Sequence, residues 1–394
     1  MIATVPVLAL VAYALGKPLP ASNSLEARDS CTINSLSSVA DAEKCSTITI
    51  DAFTVPAGQK LTISAPDKAT INLNGNIVFE ADTTFKTTGP LFTLSGTGIT
   101  FNGNGFTIDG QGAKYWDGDG TSSPKQAKPH PMIKLSCSGT VEDFTVLNSP
   151  AQVFSMGNDA ALTVSKITIN NSAGNAANSL SGGKPAAHNT DGFDGKSRLI
   201  YGICVLAYTL YIAVSTSDVT IQNSIITNQD DCLAINKGSN IIFQNNHCTG
   251  GHGISIGSVA SGSTVSNVHI TGNTITNNVQ ALRIKTDANA TSGSVSGVTY
   301  SGNTATGCTE YGVIIDQSHP DTLGNPEAGV KISASGITFT GTNTIAVASS
   351  AKGEVEVNCA KGGCTGTWDW AGLEVSGGSS AGSINNADIT NFKL

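Results

Sequence analysis

Charge is scarce in this chain, and positive charge is the scarcer kind. Only 13% of the 394 residues are charged, and 21 Lys and Arg stand against 29 Asp and Glu, giving a formal charge of −8 and a pI near 5.2. No broad basic surface is available, which argues against nucleic acid or an anionic membrane as a general partner. An anionic ligand would need a local basic patch. Long hydrophobic runs are also missing. The apolar stretch Ile2 to Leu15 is too short to cross a bilayer as a helix, and the 15-residue run Leu199 to Ala213 is short for the task. The N-terminal stretch lacks the usual preceding cation, so reading it as a secretion signal rests on hydrophobicity alone. On that reading residues 1–28 are a signal peptide and short pro-segment ending at Arg28, and residues 29–394 form the exported, extracellular domain.

What is abundant points to β-structure. With 44 Gly and many Asn, Ser, Thr, Val and Ile residues, the composition favours one elongated all-β domain. Short β-branched runs recur and each closes on asparagine: "VTIQN" at Asn223, "IIFQN" at Asn245, "VHITGN" at Asn273 and "VTYSGN" at Asn303, at spacings of 22, 28 and 30 residues. That period belongs to a strand solenoid. The fold expected is a single-stranded right-handed parallel β-helix; a β-propeller fits less well, because its blades need about 40 residues or more. Nine cysteines in an exported chain suggest disulfides, and local spacing proposes Cys31 with Cys45, Cys232 with Cys248, and Cys359 with Cys364, leaving Cys137, Cys204 and Cys308 unassigned. Asn170 and Asn289 stand in glycosylation sequons.

In a parallel solenoid, equivalent positions of neighbouring coils lie about 4.8 Å apart, so polar residues one repeat apart form a column. Asp230, His252, Arg283 and Tyr311 follow one another at 22, 31 and 28 residues and are expected in such a column, with Asp231 and Lys285 beside it. Asp191 does not fit, being 40 residues before Asp231. Removing Gly195 to Ala213, 19 residues, leaves 21 and restores the period. The segment is anomalously apolar, and three readings compete: a buried apolar element, a loop inserted beside a binding face, or a retained intron. Gly-Lys-Ser can be written GGT AAG TCN, containing the donor GTAAGT, and Ala-Val can be written GCA GTN, containing the acceptor CAG. The 57 nucleotides between leave in frame and join Asp194 to a valine codon.

The motifs "NTDGFD", "NQDDC", "GHGISIGS" and "RIK", in that order on a strand-repeat chain, resemble those of the fungal polygalacturonases of glycoside hydrolase family 28. The resemblance extends over nearly all of the chain from about Asp29. It implies an open cleft that hydrolyses the α-1,4 bonds of polygalacturonate in pectin, with inversion and without a cofactor or metal. It also implies a monomer, with plant polygalacturonase-inhibiting proteins as candidate partners. The chemistry asks for these residue types in its own right, since inverting hydrolysis needs one carboxylic acid to protonate the leaving oxygen and one carboxylate to activate water. Carried over by motif, Asp230 is the general acid, Asp191 and Asp231 position water, and His252 tunes the acid. Crowded like charges are expected to raise at least one of the three carboxyls. Arg283 and Lys285, two apart in a strand, would meet uronate carboxylates from one face. Asn189 would orient the Asp191 loop or touch substrate, and Tyr311 would serve a sugar subsite. Rival readings are an exo-acting hydrolase, a calcium-dependent lyase on the same fold, and a non-catalytic wall-binding protein left by a translated insertion.

Overall fold

The computed structural model describes residues 31–84, 89–195, 216–333 and 336–394. The signal and pro-segment, Cys204 and all of the insertion beyond Gly195 lie outside them. The described chain is a parallel β-helix: thirty strands belong to one continuous parallel sheet that winds through successive coils. The sequence builds this because each strand is short, β-branched and apolar at alternate positions. Thr70–Leu73, for example, buries Ile71 and Leu73 and leaves Thr70 and Asn72 partly exposed. The apolar halves of all coils meet in one interior column of side chains. Within it Phe101, Phe144, Phe154 and Phe193 follow one another at centroid distances of 5.5, 6.2 and 5.1 Å.

The asparagines do close the coils, but with an offset that the sequence conceals. Asn223 and Asn245 take the left-handed conformation that Gly272 and Gly302 adopt in the following coils. The buried ladder runs one residue later. The Asn246 backbone N–H donates to the Asn273 side-chain oxygen, Asn273 to Asn303, and Asn303 to Asn343, over separations of 27, 30 and 40 residues. Each ladder amide also donates to a strand carbonyl of the preceding coil, as Asn273 does to Phe243 at 2.9 Å. A buried amide is tolerated here because its partners are satisfied coil by coil.

All three proposed disulfides form: Cys31–Cys45, Cys232–Cys248 and Cys359–Cys364. Cys137 and Cys308 are buried free thiols.

Among the described residues, the coil that carries Asp191 is anchored on both sides of its excess length. Asp194 pairs with Ala234 and Val219 with Ile241, so this coil spends 25 residues on a step that the next coil makes in seven. The two ends of the excess nearly touch, because a Cβ placed on Gly195 would stand 3.7 Å from the Thr216 Cβ. The Gly195 N–H already donates to the Ala234 carbonyl at 2.9 Å, and the Thr216 hydroxyl to the Met156 carbonyl at 2.8 Å. A chain lacking residues 195–213 is therefore expected to fold with the same β-rich circular dichroism and a melting temperature no lower than that of the full chain. Loss of cooperative unfolding on deletion would show that the segment belongs to the fold.

Candidate active site

The site lies on the sheet formed by Phe193–Asp194, Asp231–Ile235, Gly253–Val259 and Gln280–Asp287, stacked in that order. Consecutive Asp230 and Asp231 could not both face the cleft from a regular strand. Asp230 sits in a bend, Asp231 opens the strand, and the pairing shifts between Asp231 and Leu233. Cys232, between them, turns inward and is bonded to Cys248 of the next coil, which pins this corner from inside.

Asp231 is fully buried and has both oxygens engaged. Oδ1 accepts from the Arg283 guanidinium at 2.5 Å and the Ser255 hydroxyl at 2.7 Å, and Oδ2 accepts from Lys285 Nζ at 2.9 Å. Burial pushes its pKa up, but Arg283 and Lys285 outweigh that, and the carboxyl is held below its ordinary range. Asp230 is also an acceptor throughout. Its Oδ1 takes the Asp231 backbone N–H at 2.8 Å and faces His252 Nδ1 at 3.0 Å, and its Oδ2 takes the Asn189 amide at 3.3 Å. Against its burial, the His252 hydrogen bond and charge hold Asp230 low, and the same contact holds the imidazole above its ordinary value.

Asp191 is the opposite case. Its carboxyl has no hydrogen-bond partner among the described residues, and burial, followed by the charges of Asp230, Asp231 and Asp194, pushes it well above the carboxylate range. The carboxyl raised by crowding is thus Asp191 and not Asp230. Asp194, one strand position past the stacked Phe193, is buried beside it and accepts from Asn236 at 2.8 Å.

The three carboxyls, His252, Arg283, Lys285 and Asn189 line one open cavity of about 400 Å³, together with Gln152, His188, Asp194, Asn236 and His319. A second cavity of about 350 Å³ meets it at His188 and His252 and runs on past Lys184 and Val279. The expected column needs correction. Asp230 and His252 are neighbours across the coil, the His252 N–H donating to the Asp230 carbonyl. Arg283, however, pairs with Ser255 and Ile314, further along the strand, and reaches Asp231 through the length of its side chain. Tyr311 pairs with Gln280 and Gly353, is 6% exposed, and is not among the residues lining either cavity. Gly251 is needed for the neighbouring coil and not only for a ligand, since a Cβ there would fall on the Asp230 carbonyl oxygen. Sequence reasoning missed His188, Gln152 and Asn236, which carry no motif of their own. It quoted Asp194 without giving it a role, although its position three residues after Asp191 was a usable signal.

A model of the glycosyl hydrolases of family 28 matches residues 45–204 and 211–392, breaking off only inside the apolar insertion. An endo-polygalacturonase of Sclerotinia sclerotiorum is 41% identical over 89% of this chain and 84% of its own length. A polygalacturonase of Cochliobolus carbonum is 37% identical over 96% and 98%. Among solved structures, endopolygalacturonase I from Stereum purpureum, complexed with two galacturonates, superposes with a TM-score of 0.80 at 46% identity, covering 91% of this chain and 98% of that one.

The Asp231 cluster generates a stability prediction. Its folded pKa lies below the ordinary value of 3.8, so the stability it contributes is full above that pH and is lost as pH falls through the folded value. Arg283→Met leaves Lys285 as the remaining cation and raises that folded value. The variant is expected to lose up to about 3 kcal/mol and to unfold at a higher pH on acid titration. Acid unfolding at an unchanged pH would show that Arg283 does not hold the charge.

Proposed function

The chain belongs to glycosyl hydrolase family 28, and from that membership we propose that it is an endo-polygalacturonase. It hydrolyses internal α-1,4 bonds of polygalacturonate with inversion. One observation carries this reading to the chain's own residues: a single cavity gathers Asp191, Asp230 and Asp231, with Asp230 paired to an imidazole and two cations beside them. The relative crystallised with galacturonate supports the class of sugar. Endo action is favoured by the meeting of two cavities at His188 and His252, which extends the cleft past the catalytic groups. A calcium-dependent lyase is disfavoured by the donor set, because Asp231 and Asp230 direct their oxygens to Arg283, Ser255, Lys285, His252 and Asn189, which leaves the Asp191 carboxyl well short of the about six to eight oxygens that calcium takes.

The partners of each carboxyl give the roles. Asp231 is the fixed anion that orients Arg283 and Lys285, whose exposed faces receive a uronate carboxylate; with its oxygens occupied it is a poorer base than the sequence implied. Asp191, whose carboxyl has no hydrogen-bond partner among the described residues, is the base that activates water once ionised. Asp230 delivers the proton to the leaving oxygen and draws it from the imidazolium of His252, 3.0 Å away, so that the acid is effectively the Asp230–His252 pair. As the glycosidic bond breaks, its electron pair stays with the protonated leaving oxygen, water adds to the anomeric carbon from the opposite face, and Asp191 takes the water's proton. Export as a monomer, glycans on Asn170 and Asn289, and recognition by plant inhibitor proteins belong to the same reading. Asn289 is exposed, whereas the Asn170 side-chain oxygen accepts from the Ser172 hydroxyl at 2.7 Å.

Activity requires Asp191 ionised and His252 protonated. The pH profile of kcat is expected to be a bell whose acid limb lies above the ordinary carboxylate range and whose alkaline limb lies above 6.5. Proton NMR of the first product should show the β-anomer; an initial α-anomer contradicts inversion. On oligogalacturonides with a good aryl leaving group, Asp230→Asn should recover much of its lost rate and Asp191→Asn should not. The reverse pattern would exchange the two roles.

A further inference from the structure

Asn189 lies in the left-handed region, at φ 53°, and presents a side-chain amide to Asp230 Oδ2. An amide can be turned either way, and only one way puts its NH₂ on the carboxylate. A donor on the other side sets the choice. The Thr121 backbone N–H, which can only donate, approaches Asn189 Oδ1 at 3.1 Å, and the Thr121 hydroxyl approaches the same oxygen at 3.3 Å. With Oδ1 so occupied, Nδ2 must face Asp230.

Thr121 belongs to the short turn Gly120–Ser122, in a loop with no place in the coil repeat. The turn is held from behind by a buried ion pair. Lys128 Nζ lies 2.8 Å from Asp117 Oδ1, and both side chains are 1% exposed. The Asp117 carboxylate also takes the Asp119 N–H at 3.1 Å and the Ser123 hydroxyl at 2.6 Å, so one buried anion grips residues on both sides of the turn. Burying such a pair costs desolvation that ordinary loop closure does not require. The loop is further fixed to the segment leading into Asn189. The Gly118 N–H donates to the Ala186 carbonyl at 2.8 Å, the Asn178 amide donates to the Trp116 carbonyl at 2.9 Å, and Trp116 packs on Ala186 and Ala187. Gly120, at φ +60°, touches Asn189 so closely that a Cβ there would overlap the Asn189 oxygen.

We infer that the Asp117–Lys128 pair and the Thr121 turn form a clamp that fixes the Asn189 amide with its NH₂ on Asp230, making Thr121, Asp117 and Lys128 positioning residues for the acid. None of the three lines the catalytic cavity. The clamp acts through one hydrogen bond to a charged group, whose loss is worth about tenfold or more in rate. Its kinetic meaning rests on reading Asp230 as the acid, but its electrostatic meaning does not. Withdrawing the NH₂ dipole leaves Asp230 more negative and raises the pKa of the facing His252.

The test compares Gly120→Ala, Asn189→Leu and the double variant, each in the full chain and in the chain lacking residues 195–213, by kcat on polygalacturonate and by NMR titration of His252, with melting temperatures to establish folding. Gly120→Ala is expected to lower kcat about tenfold with little change in KM, to raise the His252 pKa, and to add nothing in the Asn189→Leu background. Lys128→Met, where it folds, should give the same signature from a distance; where it does not, Gly120→Ala decides. Unchanged kcat and His252 pKa in Gly120→Ala, or effects that multiply with those of Asn189→Leu, would overturn the clamp. If neither the full chain nor the chain lacking residues 195–213 releases reducing ends while the His252 shifts follow the pattern, the hydrolase reading fails and the clamp stands.

Discussion

The pairing of the buried Asp231 carboxylate with Arg283 and Lys285 is the contact on which the site depends. It joins side chains from separate coils, with Ser255 of the coil between donating to the same oxygen at 2.7 Å. A lone carboxylate at zero exposure would take up a proton or unfold the corner; two cations and a hydroxyl keep it charged. That fixed negative charge then acts on its neighbours. It helps lift the Asp191 carboxyl and helps keep His252 protonated. The same pair arms the pocket for its ligand, because Arg283 and Lys285 are held side by side with some surface exposed. In a chain of net charge −8, this is how a local basic patch arises where no basic surface exists.

The solenoid supplies the precision. Coil stacking sets the rows, the aromatic column beneath Phe193 sets the height of the "NTDGFD" turn, and the Cys232–Cys248 bond fixes the corner at which two consecutive aspartates are splayed. Outside the rows, the loop carrying Thr121 reaches the site through the Asn189 amide. The apolar insertion leaves and rejoins its coil at almost one point, two positions from the end of the Phe193 stack. The flanking coils each pass this place in a few residues.

Much of this was legible in the sequence because a solenoid turns linear period into spatial neighbourhood. The fold, the three disulfides and the excess length after Asp194 all follow from spacing. Period gives the row of a residue but not the reach of its side chain. Arg283 was therefore assigned to the His252 row, whereas it stands in the Ser255 row and arrives at Asp231 by its own length. The same limit hides why Tyr311, correctly spaced, is packed against the next coil. Asn223 and Asn245 mimic the ladder residues from one position earlier, since asparagine suits both a left-handed turn and a buried ladder. The Thr121 contact spans 68 residues and joins a loop with no repeat, so no pattern announces it.

The fixed charge of Asp231 and the imidazolium it helps to hold on Asp230 are what separate this site from a generic cluster of three aspartates. Neutron diffraction from deuterium-exchanged crystals at mildly acidic pH observes both directly. A bare Asp231 between Arg283 and Lys285, and deuterons on both ring nitrogens of the His252 that faces Asp230, are predicted. A deuteron on Asp231, or a neutral His252, would contradict the account.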